Sequence, residues 1–233
     1  MADTKHVRKL KAGSATWNAW RKASGSRPNL RDWNFEKTFS NPNPYFPREF
    51  DRYDFSHADL HGISARNSVF TDCIFDDCRM NYSDLCFSYF YRCSFRDVEM
   101  RVTKIGSAQF ADCDFSGADL GYCSAEETSF ARCQLHDCSL EHVSFVNSDL
   151  SGSDLRNVSA YGISTWDLKL KGTTQRDIVV ERGVSRISID SIELAQFINL
   201  LLRNAGMRTA IETITSKVVL PSVDTQNRPL MDT

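Results

Sequence analysis

Residues 53–92 read YDFSHADLHGISARNSVFTDCIFDDCRMNYSDLCFSYFYR, and in this stretch every fifth residue from Phe55 onward is apolar. The pattern continues without a miss over 22 positions and ends at Ala160. An α-helix repeats near 3.6 residues and a β-strand near 2, so a strict period of five fits neither. A fixed short period is typical of a solenoid, in which each unit buries its apolar residues only by stacking on its neighbours.

A second ordered set of mostly small residues lies two positions before each apolar residue. One repeat is too short for a unit with its own core, but four consecutive repeats can close a square coil. Residues 20 positions apart then form internal columns, because neighbouring coils stack at the inter-strand spacing of about 4.8 Å. The sequence predicts a core ladder of two phenylalanine columns, one made of Phe55, Phe75, Phe95 and Phe115 and the other of Phe70, Phe90, Phe110 and Phe130.

Three-residue motifs recur inside the repeat. Ala58-Asp59-Leu60, Ala118-Asp119-Leu120 and Ser148-Asp149-Leu150 resemble the A-(D/N)-L unit of pentapeptide-repeat proteins. The resemblance covers about residues 53 to 162. It implies an all-β solenoid, a right-handed quadrilateral β-helix, and the apolar spacing of the chain ends predicts helical caps at both ends of the repeat.

The pattern divides the chain into six segments. We predict an N-terminal capping helix in residues 1–27, a distorted first coil and a proline-rich loop in 28–52, the pentapeptide-repeat β-helix in 53–170, a β-rich end segment in 171–189, C-terminal helices in 190–217 and a tail in 218–233. In the first segment, residues 3–24 fit a single amphipathic helix. In the fifth, one helix is predicted from residue 190 or 191 to 204 and a second from Met207 to Ser216.

Seven of the eight cysteines occupy the small inward position of the repeat: Cys73, Cys78, Cys93, Cys113, Cys123, Cys133 and Cys138. We expect buried free thiols that pack as small hydrophobic groups in a reducing cytoplasm. Cys86 alone is expected to point outward and to be the most reactive thiol. The chain shows no signal peptide and no apolar run long enough to span a membrane, which favours a cytoplasmic protein.

Charge is unevenly distributed along the chain. Residues 1–52 carry 11 Lys/Arg against 5 Asp/Glu, residues 53–162 carry 8 against 17, and residues 163–233 carry 9 against 8. The excess acid gathers on one side of the predicted coil, an acidic face made of Asp54, Asp76, Asp77, Asp97, Asp114, Asp137 and Asp154.

The acidic face has two interpretations. Some pentapeptide-repeat proteins are acidic rods that mimic DNA on gyrase or topoisomerase IV and confer quinolone resistance. A duplex as long as the predicted repeat, about 26 Å, would present roughly 15 negative charges, more than the net nine of this region. Alternatively, each aspartate simply bonds local backbone amides beside a core residue.

Outward aromatic residues form a second candidate site. A patch is predicted from Tyr82, Phe87, Tyr89 and Tyr91, which project from consecutive units of one coil. Exposed aromatic side chains are typical of protein-binding surfaces. Chance clustering on an aromatic-rich surface is the alternative.

The C-terminal helix is apolar on most of its sides, through Ile192, Leu194, Phe197, Ile198 and Leu201. Such a helix needs cover on more than one side. It therefore either caps the last coil or also forms the seam of a homodimer.

The chain ends carry a further resemblance. Residues 190–220, with WNAWRKA at 17–23, resemble segments of bacterial proteins that join pentapeptide repeats to a TIR-like or nucleotide-binding domain. No catalytic half follows, so this resemblance implies an orphan recognition half of a signalling or defence protein.

The sequence favours a non-catalytic scaffold that binds a protein partner, with gyrase as one candidate. The five histidines are scattered and lack a third metal ligand, and no phosphate-binding glycine loop is present. We therefore expect no cofactor, no metal and no direct binding of nucleic acid or membrane.

Overall fold

The computed structural model describes residues 1–38, 47–183, 185–203 and 206 of the chain. The chain divides into two compact units, residues 1–199 and residues 200–233. The first unit contains the repeats and the helices that precede them. Of the second unit, only residues 200–203 and 206 are described.

Short strands dominate the first unit. In chain order the elements are α1 (Thr4–Lys11), α2 (Ser14–Ser24), α3 (Phe35–Thr38), β1 (Arg48–Asp51), β2 (Ser68–Thr71), β3 (Tyr89–Tyr91), β4 (Gln109–Ala111), β5 (Ser144–Val146), β6 (Asp154–Arg156), β7 (Ser164–Trp166), β8 (Thr174–Arg176), β9 (Ile178–Arg182), β10 (Ser185–Ile189) and α4 (Ile192–Arg203).

The repeat region forms a four-sided β-solenoid of about six turns. Strands β1 to β4 make a parallel sheet in which residues 20 positions apart are paired, as Phe50 is with Phe70. Isolated bridges keep the same separation on the other sides, for example between Asp54 and Ile74. Each repeat forms one side and four sides close a coil. The β-solenoid predicted from the period of five is confirmed.

The phenylalanine columns fill the interior. In the first column, the rings of Phe95 and Phe115 stack at 4.6 Å between centroids and 2° between planes. In the second column, the rings of Phe90 and Phe110 stack at 4.8 Å. The columns meet edge to face, with Phe95 and Phe110 at 5.9 Å and 80°. This geometry suits the positive edge and negative face of an aromatic ring, so stacking within a column and T-shaped contact between columns reinforce each other.

The small inward residues do more than fill space. The Cys78 thiol donates a hydrogen bond to the Phe55 carbonyl at 2.9 Å, and the Ser88 hydroxyl donates to the Ala65 carbonyl at 2.6 Å. Each bond joins one coil to the coil before it. Serine, threonine and cysteine at this position therefore tie the coils together, a role that the expectation of purely hydrophobic thiols did not include.

Every corner of the coil uses a left-handed residue. In the described residues, 22 non-glycine residues have positive φ, and all their numbers end in 2 or 7, the second position after a core residue. A hydrogen bond commonly spans the corner: the backbone N–H of the residue two positions before the next core residue donates to the carbonyl of the preceding core residue. Ala58 N–H donates to the Phe55 carbonyl in this way at 2.9 Å. A positive φ at the third residue of such a turn is the type II geometry. Aspartate and asparagine supply 11 of these corners, because their short side chains tolerate this conformation.

The N-terminal segment contains two helices rather than the single helix predicted for residues 3–24. Helix α1 ends at Lys11 and α2 begins at Ser14. The junction places Gly13 at φ 96°, where a side chain is strongly disfavoured, so the chain changes direction there.

Helix α2 covers the first coil with side-chain donors. The Trp17 indole N–H donates to the Asp54 carbonyl at 2.6 Å, and the Asn18 amide donates to the Arg52 carbonyl at 2.7 Å. These carbonyls belong to the end of the solenoid, where no preceding coil is available on this side. The helix thus satisfies an exposed strand edge that could otherwise pair with another chain.

The register of the first coil differs from the rest. Asn29 bridges Asp59 and Asn34 bridges Ser64, a wider separation in sequence than the step from Asp54 to Ile74. Ten more residues than in later coils therefore separate Asn34 from β1 within this coil, because β1 pairs with β2 at the usual separation of 20. Most of the predicted proline-rich loop, residues 39–46, lies outside the described residues.

The other end of the first unit is covered by a hairpin and by the start of α4. Strand β9 bridges the last coil between Ser159 and Val179, and β10 returns antiparallel to it. On α4, the Asn199 amide donates to the Ala160 carbonyl at 3.0 Å. The second predicted helix, Met207 to Ser216, and the tail 218–233 lie outside the described residues.

Candidate protein-binding surface

The seven aspartates of the acidic face share one side of the solenoid, but several of them have partners. Asp76 is paired with Arg96 at 2.5 Å, and Asp154 is paired with Arg156 at 2.5 Å. The arginine hydrogen bonds hold the pKa of Asp154 below its usual value. The face is therefore less negative than the count of carboxylates suggests.

The remaining aspartates of this face bond to nearby groups. Asp54 and Asp114 each accept a hydrogen bond from a backbone amide two residues later at 3.0 Å. Asp137 contacts His136 at 2.7 Å, and this hydrogen bond lowers the pKa of its carboxyl group. Asp77 lies 3.4 Å from His57, while Asp97 packs over Gly117, where a Cβ would overlap the carboxylate.

The four aromatic residues of the predicted patch lie on different parts of the surface. Tyr82 occupies one corner, Phe87 occupies the next corner, and Tyr89 and Tyr91 lie on strand β3. In the described part of the chain, no ring contact joins Phe87 to any of the other three. Phe87 instead has the Arg66 guanidinium over its ring at 5.1 Å.

A different set of residues forms a continuous apolar line. Tyr82, Val102, Tyr122 and His142 occupy the same corner of four successive coils, and we call this line the aromatic edge. Tyr82 is 63% exposed, Val102 42% and Tyr122 48%. Sequence reasoning noticed Tyr82 but not the line, which becomes visible only when the sequence is read at a spacing of 20.

Neighbouring side chains hold the aromatic edge in place. The rings of Tyr122 and His142 stack at 4.5 Å and 18°, and the Arg101 guanidinium lies 5.1 Å from the Tyr122 centroid. His142 also meets Tyr161 edge to face at 5.3 Å. Gly162 follows in the next coil, and a Cβ there would overlap the His142 ring. The glycine therefore leaves the space that the imidazole occupies.

Charged residues occupy a second column of corners. Arg52, Asp72, Arg92, Asp112 and Arg132 alternate in charge on successive coils, and we call this line the charged edge. Arg92 forms a two-pronged pair with Asp72 at 2.8 and 2.9 Å, and Arg132 does the same with Asp112 at 2.7 Å for both contacts. The arginine hydrogen bonds lower the pKa of both aspartates.

Burial dominates the environment of the cysteines. All eight are free, and the seven at the inward position are buried. Burial raises the pKa of the Cys123 and Cys138 thiols to about 12. Cys86 is half-buried, and burial followed by its contact with Asp84 raises its pKa too, which opposes the reactivity expected of an outward thiol.

The described residues contain no group of three His, Cys, Asp or Glu side chains arranged to hold a metal ion. A groove of about 470 Å³ lies where the hairpin leaves the last coil. It is lined by Glu141, Asn157, Ser159, Val179, Glu181, Gly183 and Arg186. One of its two glutamates, Glu181, is paired with Arg186 at 3.5 Å.

The five apolar residues singled out on α4 differ in exposure. Ile192 is buried, Leu194 is 44% exposed and Phe197 is 55% exposed. Ile198 and Leu201 are half-buried. No helix among the described residues is both long enough and apolar enough to cross a lipid bilayer.

The fold is that of a β-solenoid protein, with exposed apolar side chains at one column of corners and alternating charges at another. Its repeats match the family model for pentapeptide repeats in eight copies, over residues 54–86, 108–145 and 133–163. Residues 54–86 and 108–163 of this chain are therefore pentapeptide repeats.

Several solved structures are similar to this chain. QnrB1, a plasmid-mediated fluoroquinolone resistance protein, is 16% identical, with 63% of this chain and 89% of that one covered and a TM-score of 0.34. HetL from the cyanobacterium Nostoc sp. strain PCC 7120 is 14% identical, with 70% and 95% covered and a TM-score of 0.19. A pentapeptide-repeat protein from the thylakoid lumen of Arabidopsis thaliana is 18% identical, with 46% and 65% covered and a TM-score of 0.14. No curated protein matches the chain.

Proposed function

We propose that this protein is a non-catalytic cytoplasmic scaffold that binds a partner protein through the outside of its solenoid. The observation that carries the proposal is the aromatic edge, where Tyr82, Val102 and Tyr122 expose large apolar side chains on three successive coils. The fold does not require this, because the equivalent corner positions of the charged edge hold charged residues with the same positive φ. Aromatic residues that gather on an otherwise polar surface are characteristic of protein interfaces.

Photo-cross-linking tests this function at two matched positions. A photoreactive phenylalanine analogue at Tyr122 samples the aromatic edge, and the same analogue at Arg132 samples the charged edge with the same backbone conformation. We expect covalent adducts with one identified protein from the source cells at Tyr122 and not at Arg132. The scaffold proposal is wrong if neither position, nor Tyr82, yields an adduct.

DNA mimicry at gyrase or topoisomerase IV has weaker support. A mimic of duplex DNA needs a dense row of unpaired negative charge. On the acidic face, Asp76 and Asp154 are paired with arginines and only 14% of each side chain is exposed. We expect micromolar protein to leave gyrase supercoiling and its quinolone sensitivity unchanged, and inhibition or drug protection would reverse this preference.

A homodimer is a secondary proposal. Leu194 and Phe197 lie one helical turn apart on α4, and both are exposed. We expect light scattering to give twice the chain mass for the parent protein and the monomer mass for Phe197→Asp. An unchanged mass would reject α4 as the seam. The orphan recognition half of a TIR-linked protein remains a hypothesis from the resemblance at the chain ends, and residues 207–220 lie outside the described residues.

A further inference from the structure

The N-terminal cap of the solenoid is strongly basic. Residues 1–31 carry eight Lys/Arg and one acidic residue, Asp3. The Asp3 carboxylate caps helix α1 by accepting a hydrogen bond from the Lys5 backbone N–H at 2.7 Å. The repeats that follow have the opposite sign, with 8 Lys/Arg against 17 Asp/Glu in residues 53–162. The sign of the charge therefore changes between the cap and the solenoid.

Three of the eight cations attach the cap to the solenoid. Arg21 donates a hydrogen bond to the Ser56 carbonyl at 2.5 Å. Arg27 donates to a neighbouring carbonyl at 2.5 Å, and Arg31 is paired with Asp59 at 3.4 Å. These three side chains therefore have a structural role.

The other five cations are exposed, and none of them forms an ion pair or a side-chain hydrogen bond with a residue that the structure describes: Lys5, Arg8, Lys9, Lys11 and Lys22. Four of them lie on α1, where Lys5, Arg8 and Lys9 are neighbours at spacings of three and four residues. Like charges at this spacing destabilise a helix. The helix macrodipole favours cations in the last turn, but it opposes Lys5 in the first. The folding of α1 therefore does not account for the whole cluster.

The exposed surface of the cap offers little besides positive charge. Leu10 and Trp17 are buried, and no large apolar side chain is exposed between residues 2 and 27. A helix that binds a membrane inserts exposed apolar side chains, and a protein interface centres on exposed aromatic anchors. Single-stranded nucleic acid is held by exposed aromatic rings on which its bases stack. The phosphate backbone of a duplex needs cations alone, so it fits this surface best.

The size of the basic surface allows a limited contact with a duplex. Helix α1 has eight residues and is therefore about 12 Å long. Duplex DNA carries one negative charge for about 1.7 Å of its length, so roughly seven phosphates lie along the helix, and four cations can reach only part of them. B-form DNA is favoured over duplex RNA, because its wide major groove admits a protein helix and the major groove of RNA is deep and narrow.

We propose that α1 binds the phosphate backbone of duplex DNA through Lys5, Arg8, Lys9 and Lys11, without reading the base sequence. This inference goes beyond the proposed scaffold function and does not rest on it. It replaces the sequence-based expectation that the protein does not bind nucleic acid directly. Because the solenoid is acidic and repels DNA, the contact is confined to the cap and weakens steeply as the salt concentration rises.

Fluorescence anisotropy with a fluorescein-labelled DNA duplex and the full chain tests this inference. We expect saturable binding at low salt and a slope of about −3.6 for log affinity against log salt concentration, because four phosphates release counterions. The triple variant Lys5→Gln/Arg8→Gln/Lys9→Gln should weaken binding at least 10-fold and bring the slope to about −0.9. Its circular dichroism spectrum should match that of the parent.

A matched control removes the same number of exposed cations elsewhere. Lys104→Gln/Lys169→Gln/Lys171→Gln changes the net charge equally but leaves the cap intact, so the affinity should stay within threefold. Lys5→Arg/Lys9→Arg keeps the charge of α1 and should bind DNA as the parent does.

Three outcomes overturn the inference. The first is no saturable binding of the duplex at low salt and submillimolar protein, and the second is an equal loss of affinity in the control triple variant. The third is equal or tighter binding of an RNA duplex, a single-stranded oligonucleotide, polyglutamate or phosphatidylserine vesicles. The scaffold function fails separately, through the cross-linking experiment at the aromatic edge.

Discussion

The aromatic edge and the charged edge occupy equivalent places in the solenoid but present opposite surfaces. Residues of both edges lie two positions after a core residue and have positive φ, 61° at Tyr82 and 52° at Arg92. On the charged edge, neighbouring coils neutralise each other through arginine–aspartate pairs. On the aromatic edge, apolar side chains remain exposed. The backbone of a corner therefore admits side chains of opposite chemistry, although aspartate and asparagine fit its conformation best.

The largest expected effect is the difference in stability loss between a core substitution and a corner substitution. Phe95→Ala removes a fully buried ring that touches neighbours in both columns, so we expect a loss of about 3–5 kcal/mol in the free energy of unfolding. Tyr82→Ala, at an exposed corner, should change it by less than about 0.5 kcal/mol. Urea-induced unfolding of the full chain measures both. Comparable losses would show that the edges also support folding.

A smaller effect is expected where the aromatic edge needs a glycine. Gly162 and Gly172 have almost the same φ, 74° and 73°, but only Gly162 lies under the His142 ring. Alanine at positive φ costs about 1 kcal/mol at either site. We expect Gly162→Ala to cost about 1 kcal/mol more, because the imidazole must leave its stack on Tyr122. Equal losses in urea unfolding would mean that the stack contributes nothing.

A substitution of Val102 is expected to raise stability rather than lower it. Val102→Asn should raise the free energy of unfolding by about 0.5–1 kcal/mol, because asparagine tolerates positive φ. The reverse change at another corner, Asn67→Val, is the control and should lower it by a similar amount, since Asn67 has φ 50° and is exposed. If Val102→Asn is destabilising, Val102 contributes packing that its exposure does not reveal.

The smallest effect concerns the charged edge. The Arg92 hydrogen bond holds the pKa of Asp72 below the ordinary value of 3.8. Because the folded-state pKa is lowered, this contribution to stability is fully present above about pH 4 and is lost as the pH falls through the folded-state pKa. Arg92→Gln should raise the pKa of Asp72 toward 3.8 in an NMR titration and change stability only slightly, since exposed pairs contribute little.

Arg132→Gln is the control for that titration. It removes the partner of Asp112 and should leave the pKa of Asp72 nearly unchanged. A shift of Asp72 in both variants would show that the charged edge acts as one network rather than as separate pairs.

The period of five was sufficient to predict the solenoid and its phenylalanine columns, because burial enforces that period at every coil. The corner conformation was not predicted, although the many aspartates and asparagines two positions after core residues were a usable signal. The break at Gly13 was missed because the apolar spacing of residues 3–24 fits one helix. That spacing does not reveal a single residue with positive φ between two helices.

The candidate site was predicted less well, for a geometric reason. Tyr82, Phe87, Tyr89 and Tyr91 are close in sequence, and closeness in sequence was taken as closeness in space. On a four-sided coil, one repeat moves the chain to the next side, whereas four repeats return it to the same corner. Tyr122 therefore shares a corner column with Tyr82, whereas Phe87 does not. The partners of Asp76 and Asp154 could not be read from composition, because they depend on side-chain geometry.

The register of four repeats to a coil also limits how such a gene can change length. A duplication of four repeats adds one complete turn and leaves every later side chain facing the direction it had before. A duplication of a single repeat keeps the period of five but rotates all later coils by a quarter of a turn, which moves the later phenylalanines out of their columns. Tyr122 would also leave the corner of Tyr82, so a short insertion changes the stacking inside the solenoid and the surface outside it together.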